Sequence, residues 1–143
     1  MSALLLARLM VTAVAAGQGV APLFIDLNKT HATNPLWPGH ARFHIVWQTF
    51  SLTLASAIEV ALLWWPSSQS RALFYLAALL TSVPMSGFLL ALMTRRVYKG
   101  TLHDVNGIQP LFIRIAGKLL EIDMNAVLVI LGAAVLVCGV AVF

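Results

Sequence analysis

Charge is what this chain has least of. Only 10% of its 143 residues are charged, and just five are acidic. A water-soluble domain of this length covers itself with far more charge, so the shortage excludes an ordinary soluble fold. Cysteine is almost missing as well. Cys138 stands alone in an apolar run, which excludes an intrachain disulfide and a cysteine metal cluster. It reads as a small buried or lipid-facing hydrophobe. No serine or cysteine nucleophile motif, phosphate-binding glycine loop or dinucleotide fingerprint occurs. Internal repeats and low-complexity segments are also lacking.

What is there is hydrocarbon. Hydrophobic residues make up 60% of the chain, and the mean hydropathy is +0.90. A helix needs about 20 apolar residues to cross a bilayer. Four runs qualify, over 3–25, 43–65, 72–93 and 120–143. The expectation is an all-α integral membrane protein, a bundle of four transmembrane helices forming one domain over 1–143. The first run resembles a secretory signal, but Arg8 interrupts its apolar core. Pro22 follows the small-residue site Gly19-Val20-Ala21 and would block cleavage there, so the run reads as a retained helix. Its small or polar face, Arg8, Thr12, Ala15 and Gly19, suits close approach by a neighbouring helix.

Proline and tryptophan mark the boundaries. Asn34-Pro35 and Trp37-Pro38-Gly39 are turn signals, and Pro38 suits the first position of helix two. That helix ends at Pro66, with Trp64-Trp65 as an interfacial aromatic belt. Pro84 should kink helix three near its middle. A second polar loop over 97–109 carries Tyr98, His103, Asp104 and the Asn106-Gly107 turn. In the following PLFIRIAGKLL, Arg114 and Lys118 lie four apart, which predicts an interfacial amphipathic lead-in to helix four.

The formal charge of +4 and pI near 9.9 would point to nucleic acid in a soluble protein. In a membrane protein the positive-inside bias and anionic lipid account for them, so no nucleic-acid partner is expected. Seven basic residues (Lys29, Arg42, Arg95, Arg96, Lys99, Arg114, Lys118) flank the first and third loops, against Arg8 and Arg71 at the other end. That count predicts cytoplasmic first and third loops and outside termini, in a bacterial inner membrane. All four histidines, Asp26, Asp104, Glu121 and Asp123 then fall at one membrane face.

Asp26 to Gln48 is the polar, histidine-rich exception to the hydrocarbon. On helix two, His40, His44, Gln48, Ser51 and Glu59 fall within an arc of about 100°, with Arg42 and Thr49 pointing elsewhere. A carboxylate at the bilayer centre costs roughly 2.5–3.5 kcal/mol, so the stripe should face the bundle interior. There it either lines a pocket or bonds helices together. Glu59 and Arg8, at similar depth on neighbouring helices, are expected to form a structural ion pair.

His40 and His44 are spaced as two metal ligands would be, but Ala41 replaces the glutamate of the metalloprotease pattern. No metal is expected. Free imidazoles titrate near pH 6.5 and serve as general acid or base. His40 and His44 are thus candidate catalytic groups, with Asp26 or Asp104 as the orienting carboxylate. Asp104 would serve a first-loop histidine rather than its neighbour His103. Candidate substrate-binding residues are His31, Asn34, Trp37, Trp47, Gln48, Tyr98 and His103. Gln18 and Ser86 join them at the depth of Gln48, in a small amphipathic pocket under the loops.

The string Thr30-His31 … Asn34-Pro35-x-Trp37-Pro38-x-His40-Ala41-x-Phe43-His44 resembles the signature of small, largely uncharacterised four-helix membrane proteins of bacteria and fungi. Lys99-Gly100 … Asp104-x-Asn106-Gly107 fits the same pattern. The layout is also similar to styrene oxide isomerase, a four-helix membrane enzyme family with a haem-bound helix-two histidine. Trp37-x-x-His40 departs from that family's spacing, so the resemblance implies a substrate class and no haem ligand here. Haem is therefore unsupported at any residue, and no cofactor is expected.

The reading favours an integral-membrane enzyme, an isomerase or hydrolase of a small lipophilic molecule, acting by acid–base isomerisation or ring opening of an epoxide-type substrate. The alternative is a non-catalytic lipophile-binding or transport-accessory protein. Partners are membrane lipid and the lipophilic molecule, with room for a homo-oligomer.

Overall fold

The computed structural model describes residues 2–143. Four helices cross back and forth: α1 (Ala3–Ile25), α2 (Gly39–Trp64), α3 (Ser70–Thr94) and α4 (Met124–Val142). Each is long and apolar enough to cross a membrane, which marks the chain as a membrane protein. A two-stranded antiparallel sheet, β1 (Leu111–Ile115) and β2 (Lys118–Ile122), precedes α4.

The helix ends follow local chemistry. The Ser2 hydroxyl accepts from Leu5 N–H and caps α1, and the Asp123 carboxylate accepts from Ala126 N–H at 3.0 Å and caps α4. Pro38 sits one position earlier than expected, as the extended residue before α2. Pro66 lies just beyond Trp65, where α2 has ended.

α1 lies at the centre, packed against α2, α4 and, more lightly, α3. Small residues allow its close approach to both main neighbours. At Gly19 any Cβ would run into the Ser56 side chain of α2. At Gly139 of α4 it would meet Met10 and Val11 side-chain atoms at 3.2 Å. Hydroxyls of α2 exploit this closeness: Ser56 Oγ donates to Ala15 C=O at 2.7 Å, and Thr53 Oγ1 to Gly19 C=O at 2.8 Å. Interhelical hydrogen bonds of this kind matter where lipid gives apolar burial little advantage. At the end away from the long loops, Phe74 stacks on Phe143 with ring centroids 3.7 Å apart.

Three expectations are corrected. The lead-in to α4 is a β-hairpin and not a helix, so Arg114 and Lys118 do not share a face: Arg114 pairs with Leu119, and Ile115 with Lys118. Its two-residue turn, Ala116-Gly117, has positive φ at both positions (49° and 79°), as a tight hairpin turn requires. Secondly, the stripe of His40, His44, Gln48 and Ser51 faces outward, and all four are exposed. The inward face of α2 is built from Thr49, Thr53, Ser56 and Glu59 instead. Thirdly, Arg8 and Glu59 do not pair. The register that sets Ser56 against Ala15 puts Glu59 opposite Thr12, one turn away from Arg8. The Glu59 carboxylate accepts from Thr81 Oγ1 of α3 at 2.9 Å, while Arg8 Nε is buried with no hydrogen-bond partner.

Candidate functional site

The 26–38 loop folds on its own polar side chains. Asn28 Nδ2 donates to Phe24 C=O at 2.7 Å, and Asn28 Oδ1 accepts from Thr30 N–H at 2.8 Å, closing the end of α1. Asn34, fully buried, donates to Thr30 C=O and accepts from Leu36 N–H, so it holds the turn before Trp37. These bonds fix His31 between three neighbours. Its Nδ1 lies 2.8 Å from Thr30 Oγ1 and 3.6 Å from the Asp26 carboxylate, and the edge of the Trp37 ring system meets it at 5.2 Å between centroids.

Asp26 is the half-buried acid of this group. Burial pushes its carboxyl above the ordinary value of 3.8, and the His31 imidazole and the Thr49 hydroxyl pull it back less strongly. The Thr49 approach is too loose for a regular hydrogen bond, since that buried hydroxyl has no partner within ordinary reach.

The third loop closes over the first. His103, Asp104, Asn125 and Leu102 share a cleft of about 60 Å³ with Asp26 and His31. His103 Nδ1 lies 3.6 Å from Glu121 of β2 and makes no hydrogen bond. Asp104 is occupied with its own turn: Oδ1 accepts from Asn106 N–H at 2.9 Å, and its carbonyl accepts from Gly107 N–H. The carboxylate beside a first-loop histidine is thus Asp26. The cleft has room for a few waters and falls well short of the ~300–1,000 Å³ typical of small-molecule pockets. A second, more apolar hollow of about 170 Å³ lies under Tyr98, between Phe88, Leu92 and Arg95 of the α3 end and Thr101. Leu102 forms a wall of both hollows.

The structure therefore gathers Asp26, His31, Asn34, Trp37, His103 and Asp104 and leaves other candidates outside. His40 and His44 sit on the outer surface of α2, their Nε2 atoms 3.0 Å apart, with Trp47 beside His44. One imidazole donates to the other across this contact, on the exposed surface of the helix. Trp47, Gln48 and Ser86 are exposed and line neither hollow. Gln18 points inward, where its amide donates to Thr81 C=O at 3.0 Å, and Tyr98 donates to Ala91 C=O at 2.7 Å. Gln18 thus faces the bundle interior, whereas Gln48, Trp47 and Ser86 are on the exposed surface. Glu121, Asn125, Thr49 and Leu102 were not among the expected site residues. A helical reading of 110–120 does not bring Glu121 over His103, and Thr49 lies off the histidine stripe.

No curated protein and no solved structure matches the chain. A family model does match, over residues 9–108, a span that holds Asp26, His31, His103 and Asp104 and stops short of the hairpin and α4. The chain belongs to that family, described as a family of unknown function (DUF6640).

Proposed function

We propose that this protein is a membrane enzyme that rearranges a small lipophilic molecule, an epoxide or similar strained ether, by acid–base chemistry at Asp26 and His31. The observation that carries the reading is the half-buried Asp26 carboxyl, pushed upward by burial, 3.6 Å from an imidazole. A buried carboxyl whose proton is held more tightly than in water is better suited to proton donation than a solvated one. The Asp26 proton would go to the ring oxygen as the C–O bond breaks. A group shift then forms the carbonyl, and the proton released from oxygen returns by way of His31. Atoms balance without a co-reactant, and no step runs through haem. His103 and Asn125 would hold the oxygen in the cleft, and the apolar body would lodge in the hollow beyond Leu102. The loops holding this site carry most of the basic residues, which supports a cytoplasmic placement.

The small size of the cleft favours a second reading, in which the same polar knot binds a lipophile without changing it. Liposome-reconstituted protein incubated with a panel of lipophilic epoxides, and products read by mass spectrometry, separates the two. Turnover lost in Asp26→Asn and His31→Gln but kept in His40→Ala supports the enzyme. Binding without product in the wild type would sink it. An absorption spectrum of the purified protein tests haem directly, through a Soret band.

A further inference from the structure

Among the described residues, the β1–β2 hairpin makes at most slight contact with any helix. A two-stranded hairpin by itself is marginal in water, so a surface is needed to hold it. Its register sorts the side chains. Leu111, Ile113, Ile115, Leu120 and Ile122 lie on one face, with Lys118 at the turn; Phe112, Arg114, Leu119 and Glu121 lie on the other. Apart from Lys118 beside the turn the first face is apolar, with Leu111, Ile115 and Leu120 about half exposed (53%, 58% and 49%), whereas on the other face the exposed Phe112 and Leu119 are interleaved with Arg114 and Glu121. On a soluble protein such a patch would invite aggregation.

We infer that the hairpin lies flat in the headgroup region of the bilayer, with its Leu111–Ile113–Ile115–Leu120–Ile122 face turned into anionic lipid. Three features point to lipid as the occupant. β2 runs directly into the Asp123 cap of α4, so the hairpin starts where a membrane span starts. Lys118 on the apolar face can extend its ammonium to phosphate while its stem stays among acyl chains. Arg114 adds a second positive charge, and Arg95, Arg96 and Lys99 lie on the preceding loop at the same end of the bundle. Basic residues near an anionic surface strengthen such a seat. The open strand edges forbid deeper burial, because unpaired backbone groups are not tolerated in hydrocarbon. A shallow seat satisfies both constraints. The hairpin would then also fix Glu121, on the opposite face, over His103.

The test reads alternation along the strands. In a Cys138→Ser background, single cysteines replace Ile113, Arg114 or Leu120 in turn and carry an environment-sensitive fluorophore. The protein is reconstituted in vesicles of phosphatidylcholine with phosphatidylglycerol. Labels at 113 and 120 should be quenched several-fold more by lipid-borne nitroxide than by aqueous iodide, and the label at 114 the reverse. The contrast should shrink in vesicles of phosphatidylcholine alone. Iodide quenching equal at all three positions would overturn the inference, as would disulfide cross-linking between copies at 113, which would make the cover a second chain. All three positions are exposed, so failure to fold is not expected, and circular dichroism of each labelled variant verifies it. The outcome is independent of whether Asp26 and His31 catalyse anything.

Discussion

Helix α2 carries two polar faces with opposite fates. His40, His44, Gln48 and Ser51 look outward, whereas Thr49, Thr53, Ser56 and Glu59 look into the bundle. The centres of the two faces are roughly 130° apart at 100° per residue. The outward set begins in the first turns of the helix, at the boundary, where water and headgroups satisfy an imidazole at no cost to packing. Apart from Glu59, the inward set is made of short hydroxyls that need little room. Thr53 and Ser56 bond backbone carbonyls of α1 and let it come within contact distance at Gly19. Polarity alone does not tell which face is interior. Side-chain size does, because only small groups allow close packing.

The largest test of this contrast is on the inward side. Gly19→Val would drive a side chain into Ser56 and toward the Thr53 backbone, 3.4 Å from the position of the new Cβ. Overpacking of this kind costs about 1–3 kcal/mol, and the two hydroxyl bonds would lengthen with it. Unfolding in mixed detergent should show the loss, and an unchanged midpoint would break the account of α1–α2 packing.

Asp26, which touches the inward face through Thr49, gives the second effect, and pH reveals it. Its folded value is raised above 3.8, so the folded state binds this proton more tightly than the unfolded one. The stability it contributes is therefore full below that pH and is lost as pH rises through the folded value. Asp26→Asn removes this dependence. The variant should gain on the wild type in midpoint as pH climbs from about 4, while losing turnover if the proposed chemistry is right. Parallel pH curves for the two proteins would show that burial of Asp26 costs nothing.

A smaller effect comes from the polar trio of Gln18, Thr81 and Glu59. A double-mutant cycle of Thr81→Val with Glu59→Gln should give a coupling on the order of 1 kcal/mol, whereas Arg8→Ala with Glu59→Gln should add to within about 0.5 kcal/mol. Coupling in the second pair and none in the first would restore the ion pair expected from depth alone.

These cases show what the residue string discloses. The four spans were legible, because apolar runs of membrane length have no other stable fold, and α1 matches its expected bounds. The meeting of the first and third loops followed from the alternation of spans. The hairpin did not, since Ala116-Gly117 is a weaker turn signal than Asn-Gly, and the Arg114–Lys118 spacing mimics a helix. In the site, Asp26, His31 and His103 were recognisable from type and position. Their separation from His40 and His44 was not, because it depends on the rotation of α2 about its axis, which Gly19 and Ser56 decide.

The weakest perturbation should be on the outward side. His40 and His44 touch each other through Nε2 at 3.0 Å and otherwise meet Phe43 and Trp47, which are themselves exposed. Replacing either with alanine leaves its partner free to bond water or a headgroup, so no buried group is orphaned and no cavity opens. The unfolding midpoint of His40→Ala and His44→Ala should stay at the wild-type value in detergent and in liposomes alike. A loss rivalling that of Gly19→Val would mean that this face is covered in the membrane, and its concentration dependence would identify the cover: a midpoint that falls on dilution belongs to contact with a second copy of the chain.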